Sequence, residues 1–220
     1  MTSTSNKKSS SRTYGGLSES ERVDERRERF LEAGLEVFGT VGLRGATVRV
    51  LCKAAGLTER YFYESFTDTE ALFCAVYERE NNRWREVFME KVPHMPQDLE
   101  GRSRASLDVY FTAMRNERLV RVLHIESMAG SERVTSLHHY HTRISTEMSA
   151  MLIRLDHPDL NVTDEFLHSL AMAINGASAA MAVQWMLGDY SIPQDILVEV
   201  CSVMVKGAIQ ELRSRSAPLR

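Results

Sequence analysis

The chain reads as an all-α protein with a helix-turn-helix near its N-terminus and longer helices behind it. Three observations predict this class. Apolar residues recur at i, i+3, i+4 and i+7 along most of the chain, and no stretch shows the period of two that a sheet requires. Residues 47–66, TVRVLCKAAGLTERYFYESF, spell a helix, a glycine turn and a second short helix. Residues 170–187, LAMAINGASAAMAVQWML, are apolar nearly all round, as a helix covered on more than one side must be.

In chain order, residues 1–20 are rich in Ser, Thr, Gly and Lys and lack the apolar centre of a signal peptide. They are expected to be a disordered tail. Its Lys7, Lys8 and Arg12 could form a minor-groove arm or a plain flexible lead. Arg22 to Val41 predicts an amphipathic helix with Phe30, Ala33, Gly34, Val37, Phe38 and Val41 inward, ended by a left-handed Gly42. Thr47 can cap the next helix, whose Val48, Leu51, Cys52 and Ala55 face inward. Cys52 is small where the two helices of the motif cross. Gly56 makes the turn, and Thr58 can cap the second helix, which Phe62 and Phe66 pack back. Glu59, Arg60, Tyr61, Tyr63 and Glu64 are left outward, as a helix in a major groove requires.

Thr67-Asp68-Thr69-Glu70 supplies helix-start chemistry, and a long helix runs on toward Trp84 and Phe88. Pro93 and Pro96 break the chain. Helices over 99–115, 117–129 and 132–155 follow, with Gly130 as a break and His157-Pro158-Asp159 as a turn. Thr163 caps a helix to Leu187, Gly188-Asp189-Tyr190 closes it, and Pro193 opens a last helix to about Arg213. The domains implied are a head over 21–68 and a body over 69–215.

From Phe30 to Phe73 the chain resembles the N-terminal domain of the tetracycline-repressor (TetR) family of bacterial regulators. The matching pieces are FLEAGLEVFGTVGLRGATV, LCKAAGLTERYFYESF and TEALF. The resemblance implies a three-helix DNA-binding head on a larger helical domain for ligand binding and dimerisation. It implies a repressor that leaves DNA when a small molecule binds, and pairing through the last two long helices as a four-helix bundle. Two positions depart from the family pattern. Thr69 stands where the family has a phosphate-reaching lysine, and Ser65 where it often has histidine. Both remove positive charge from the DNA face, and Glu59 and Glu64 add negative charge to it. Each glutamate is either a reader of cytosine N4 or a salt-bridged surface acid.

Charge agrees with a regulator that touches phosphate only through its head. The net is −3, but residues up to Phe66 hold 11 Lys and Arg against 9 Asp and Glu. A mildly basic head therefore sits on an acidic body. Cys52, Cys74 and Cys201 are isolated, so a reducing cytoplasm is expected. Arg60 and Tyr61 are the candidate base readers, while Thr47, Arg49, Thr58 and Tyr63 are candidate phosphate contacts. Double-stranded DNA with an inverted repeat is the expected partner, because a two-fold dimer presents two reading helices.

The apolar helix has the length of a membrane span, yet Asn175, Gly176, Ser178 and Gln184 argue against a membrane. Its small residues suit a second subunit. Ile174, Ala177 and Met181 are candidate dimer contacts, with Val200, Met204 and Ala208 on the last helix matching them. An effector cavity in the body would draw on Met114, Leu123, His124, Met128, Met148, Met172 and Trp185, and would suit an apolar or aromatic small molecule of unknown identity. His138 and His141 share a helical face and could hold a metal, but no carboxylate or cysteine completes a site. They read as solvated histidines. Neither a metal nor a cofactor is expected, and no Gly-rich phosphate loop, nucleophile elbow or HExxH motif suggests an enzyme. The runner-up function is a DNA-binding dimer without an effector, governed by abundance or a protein partner.

Overall fold

The structure, a computed structural model, describes residues 18–214. They form α1 (Glu19–Phe38), α2 (Gly42–Gly45), α3 (Val48–Ala55), α4 (Glu59–Ser65), α5 (Thr69–Lys91) and α6 (Leu99–Ala113), with a 3-10 turn at Val92–His94. Then come α7 (Glu117–Val120), a π-helical stretch (Arg121–Glu126), α8 (Ser127–Ala129), α9 (Glu132–Asp156), α10 (Asp164–Leu187) and α11 (Gln194–Ser214). No β-strand occurs among the described residues, and the protein is all-α. The expected arm of Lys7, Lys8 and Arg12 lies outside the described residues.

Helix α1 begins earlier than its periodicity suggests. Ser18 and Glu21 form a reciprocal capping box, Ser18 Oγ accepting from the Glu21 N–H at 3.2 Å and Glu21 Oε2 accepting from the Ser18 N–H at 2.6 Å. The helix also ends earlier. Gly39 caps it, and Gly42, at φ +77°, instead begins the one-turn α2. Val41, expected inward, therefore falls beyond the helix and is exposed. Thr47 caps α3 as expected, accepting from the Val50 N–H at 3.3 Å. Gly56 takes the left-handed conformation, at φ +63°. The Thr58 hydroxyl makes no cap bond to α4, and it is the Asp68 carboxylate that caps α5, 2.6 Å from the Ala71 N–H.

The head is built on aromatic packing. Phe30 of α1 is fully buried and meets Phe62 and Phe66 edge-on, with ring centroids 5.4 and 6.2 Å away. Phe38 meets Phe73 of α5 in the same way, so one apolar core runs from head into body. In the body, α11 packs chiefly on α6 and α10 on α9. On α10 only one stripe is buried, through Leu167, Ala171, Ser178, Ala182, Trp185 and Met186. The helix is long and apolar enough to cross a membrane, and 22% of its apolar stretch is buried within the single chain.

The 188–190 turn keeps two non-glycine residues left-handed, Asp189 at φ 52° and Tyr190 at φ 55°. Such a conformation persists only where its surroundings enforce it. Here the Tyr190 N–H donates to Trp185 O, the phenol donates to Met114 O, and the ring stands edge-on to Trp185.

Candidate functional site

Helix α4, the second helix of the helix-turn-helix, has seven residues, too few to be stable without packing. Its seat on Phe30 leaves Glu59, Arg60, Tyr63 and Glu64 on the surface. The Arg60 side chain is 85% exposed, and Tyr63 is 59% exposed. Glu64 is ion-paired on both sides, 3.4 Å from Arg26 and 3.4 Å from Arg60, which is the salt-bridged alternative of its two readings. Tyr61 is half-buried under the Arg26 guanidinium, 4.4 Å above its ring, so its face is taken by α1.

Arginines on α1 serve the motif in a way periodicity did not reveal. Arg29 donates to the Ala55 and Gly56 carbonyls at 2.7 and 3.3 Å, answering the open C-terminus of α3. Arg27 donates to the Ser65 carbonyl at 3.2 Å and lies over the Phe66 ring. These cations clamp α3 and α4 onto α1. Exposed Arg44, Arg49, Lys53 and Arg60 are then the cations of the motif region that face water. Arg44 and Lys53 were not among the sequence candidates. Thr47, Thr58 and Thr69 stand at the starts of α3, α4 and α5, and Ser65 ends α4.

The body encloses a cavity of about 730 Å³ between α5, α6, the π-helical stretch, α9 and α10. Met114, Leu123, His124, Met128, Met148 and Met172 all border it. Trp185 does not. It is buried beside Phe111 and Tyr190, its indole N–H donating to Ile192 O at 2.7 Å, because the strained 188–190 turn folds back on it. It is a core residue of the α10–α11 corner.

Aromatic and polar residues unread from the sequence complete the lining: Tyr77, Trp84, Phe88, Tyr110 and Asn175. The Trp84–Phe88 spacing of four and Tyr110 on the facing helix were the available signal. His138 and His141, expected in solvent, face inward. The shared face of α9 that carries them is the one packed toward α5, and His141 is 3% exposed. His138 Nδ1 lies 3.1 Å from both the Tyr77 hydroxyl and the Ser127 hydroxyl. His141 Nδ1 lies 3.1 Å from Arg85. Burial lowers the pKa of His124 to about 4, helped by His138, and that of His141 to about 4, helped by Arg85. Burial raises Tyr77 to about 12. The cavity wall is therefore electrically neutral at its histidines. No group of three or more His, Cys, Asp or Glu able to hold a metal occurs among the described residues.

One short segment touches both cavity and head. The π-helical stretch sets Leu123 and His124 on the cavity, and Glu126 reaches the head, its Oε2 accepting from the Leu43 N–H at 2.7 Å. Close by, Arg118 is ion-paired with Glu36, and Gly39 abuts Arg118 so closely that a Cβ would come within 2.6 Å of its Cα. π-Helical turns inside α-helices concentrate at functional sites.

A helix-turn-helix head joined to a larger all-helical body is the architecture of a DNA-binding transcriptional regulator. Residues 30–76 match the family model of bacterial regulatory proteins, tetR family. No curated protein sequence matches it. Among solved structures, the fatty acid degradation regulator FadR from Bacillus halodurans superposes with a TM-score of 0.73 at 15% identity, over 83% of this chain and 95% of that one. FadR from Bacillus subtilis in complex with stearoyl-CoA gives 0.69 at 14%, over 82% and 98%. A TetR-like regulator from Rhodococcus sp. RHA1 gives 0.67 at 18%, over 84% and 96%. At these identities the likeness is one of fold.

Proposed function

We propose that the protein is a cytoplasmic, dimeric repressor that binds an inverted-repeat operator and leaves it when an apolar or aromatic small molecule enters the body cavity. The observation that carries this reading is the π-helical stretch, where residues two apart, His124 and Glu126, border the cavity and hold the head. A ligand that displaces His124 acts on the joint at Leu43. Differential affinity for the two joint positions then changes operator affinity. The stearoyl-CoA bound to the Bacillus subtilis regulator supports an effector with a long apolar part.

In this reading Arg60 reads bases, while Arg49, Thr47, Thr58 and Tyr63 hold phosphates, and Glu59, Tyr61, Ser65 and Thr69 lie at the same face. Pairing runs through α10 and α11. Met172, Val200, Val203 and Met204 are exposed apolar residues there. Ile174, Ala177, Met181 and Ala208 are half-buried between them. A Cβ on Gly176 or Gly207 would meet nothing within 4 Å. Nothing in the single chain requires glycine at those positions, whereas close approach by another helix does. Two heads held at a fixed spacing make the second DNA contact intramolecular. No catalytic role is proposed.

The test is operator release. Once an operator is in hand, a fluorescence-anisotropy titration with long-chain acyl compounds should lower its affinity in the wild type and leave it unchanged in Glu126→Ala. Loss of DNA binding in the variant without any effector response in the wild type would favour a regulator lacking an effector.

A further inference from the structure

The cavity reaches the surface along α10. The exposed residues of its lining are Met128 on α8, Thr142 on α9, and Met172, Gly176, Ala180 and Gln184 on α10. The α10 residues recur every four positions, so they form one ridge ~18 Å long at 1.5 Å per residue. Ala171, on the buried stripe of the same helix, also borders the cavity. Ala171 and Ala180 are nine positions apart, which at 3.6 residues per turn puts them on opposite sides of α10. The hollow therefore continues from the inner side of the helix around to its outer side. At Gly176 nothing in the chain covers it, because a Cβ built there meets no described atom within 4 Å.

An apolar molecule held by one chain would leave its flank at this ridge in water and forfeit part of the burial that drives it in. The ridge also lies on the face assigned to pairing. Met172 and Gly176 belong to both, and the adjoining α11 exposes Val200, Val203 and Met204 at 44, 57 and 41%. A two-fold pair brings one such face onto another of the same kind. The bare Gly176 lets a facing helix come close, and the ridge carries no charged side chain that pairing would strip of water.

We infer that a second copy of the chain completes the effector site, its α10–α11 face lying over the ridge of Met172, Gly176, Ala180 and Gln184 as the outer wall of the cavity. The inference rests on the pairing and effector readings and joins them. Occupancy and pairing become one linked equilibrium, in which each strengthens the other.

The probe is N-phenyl-1-naphthylamine, an uncharged apolar fluorophore, titrated into the full chain as wild type and as Val203→Glu, with sedimentation run on both. Val203 is exposed on α11 and does not border the cavity, so a glutamate there charges the pairing face and leaves the hollow intact. The expected result is a dimeric wild type that binds the probe, and a folded, monomeric Val203→Glu that binds it about tenfold more weakly. In wild type diluted through its dimer–monomer transition, saturating probe should move the midpoint to lower protein concentration. This second measurement needs no variant. A folded monomer that binds as tightly as the wild-type dimer, or a midpoint that the probe leaves in place, overturns the inference and leaves an effector cavity complete in one chain. A wild type that sediments as a monomer overturns the pairing reading with it, and a dimer that takes up no probe overturns the effector reading with it.

Discussion

Two adjacent residues of α4 should respond in opposite ways. Phe62 is fully buried and seats α4 on Phe30, whereas Tyr63, one position on, is 59% exposed. Truncating a buried Phe to Ala costs ~3–5 kcal/mol through lost transfer energy and the cavity left behind. The higher part of that range applies here, because Phe62 also forms edge-on or tilted pairs with Phe30, Tyr63 and Phe66. At roughly 2–4 °C per kcal/mol for a chain of this size, Phe62→Ala should lower the melting temperature by about 10 °C. An α4 of seven residues has no independent stability, so the same loss should weaken DNA binding by about a hundredfold or more. Tyr63→Ala removes mostly exposed surface, so its melting temperature should stay within ~2 °C of wild type while binding to all DNA sites weakens alike. Calorimetric melts and anisotropy titrations on both variants decide the matter. A melting drop in Tyr63→Ala equal to that in Phe62→Ala would refute the assignment of buried seat and exposed contact.

Other outcomes follow from the same geometry. Arg60→Ala should cost about 1–3 kcal/mol at one base pair and relax preference there, seen by comparing selected sites for variant and wild type. Gly39→Val drives a Cβ into the Arg118 backbone and should destabilise the protein by ~1–3 kcal/mol in chemical denaturation, although φ at Gly39 is an ordinary −76°. His124 has its pKa lowered from 6.5 to about 4 in the folded state, so the unfolded chain binds more protons between those values. Its contribution is full above pH 6.5 and fades as pH falls toward 4; the melting temperature should drop over that window, less steeply in His124→Gln. Gly176→Leu fits the single chain without contact, so sedimentation should show loss of the dimer with the fold retained.

The head was legible because its determinants are local. The Thr47 cap, the left-handed Gly56 and the Phe62–Phe66 spacing each act within a few residues, and each stands where the pattern required. Its errors were also local. Gly39 rather than Gly42 ends α1, and Thr58 stands at the start of α4 without making a side-chain cap bond. The clamp by Arg26, Arg27 and Arg29 was hidden, since an arginine on a polar face reads as solvated until a carboxylate or carbonyl 26 to 38 residues away is placed beside it. The cavity was half legible for a similar reason. Periodicity marks Met114, Leu123 and Trp185 alike as inward, but whether the inside is packed or hollow depends on how α9 and α10 splay. Trp185 went to the packed corner and Trp84 to the hollow.

The central claim is that this chain reads DNA with two symmetric heads. Selection of binding sites from random duplex DNA with the purified protein, at stated salt, tests it most directly. An enriched inverted repeat is the predicted result, with its half-sites spaced by about one helical turn or a multiple of it. Folded, dimeric protein that enriches no sequence, or only a single half-site, would contradict the account.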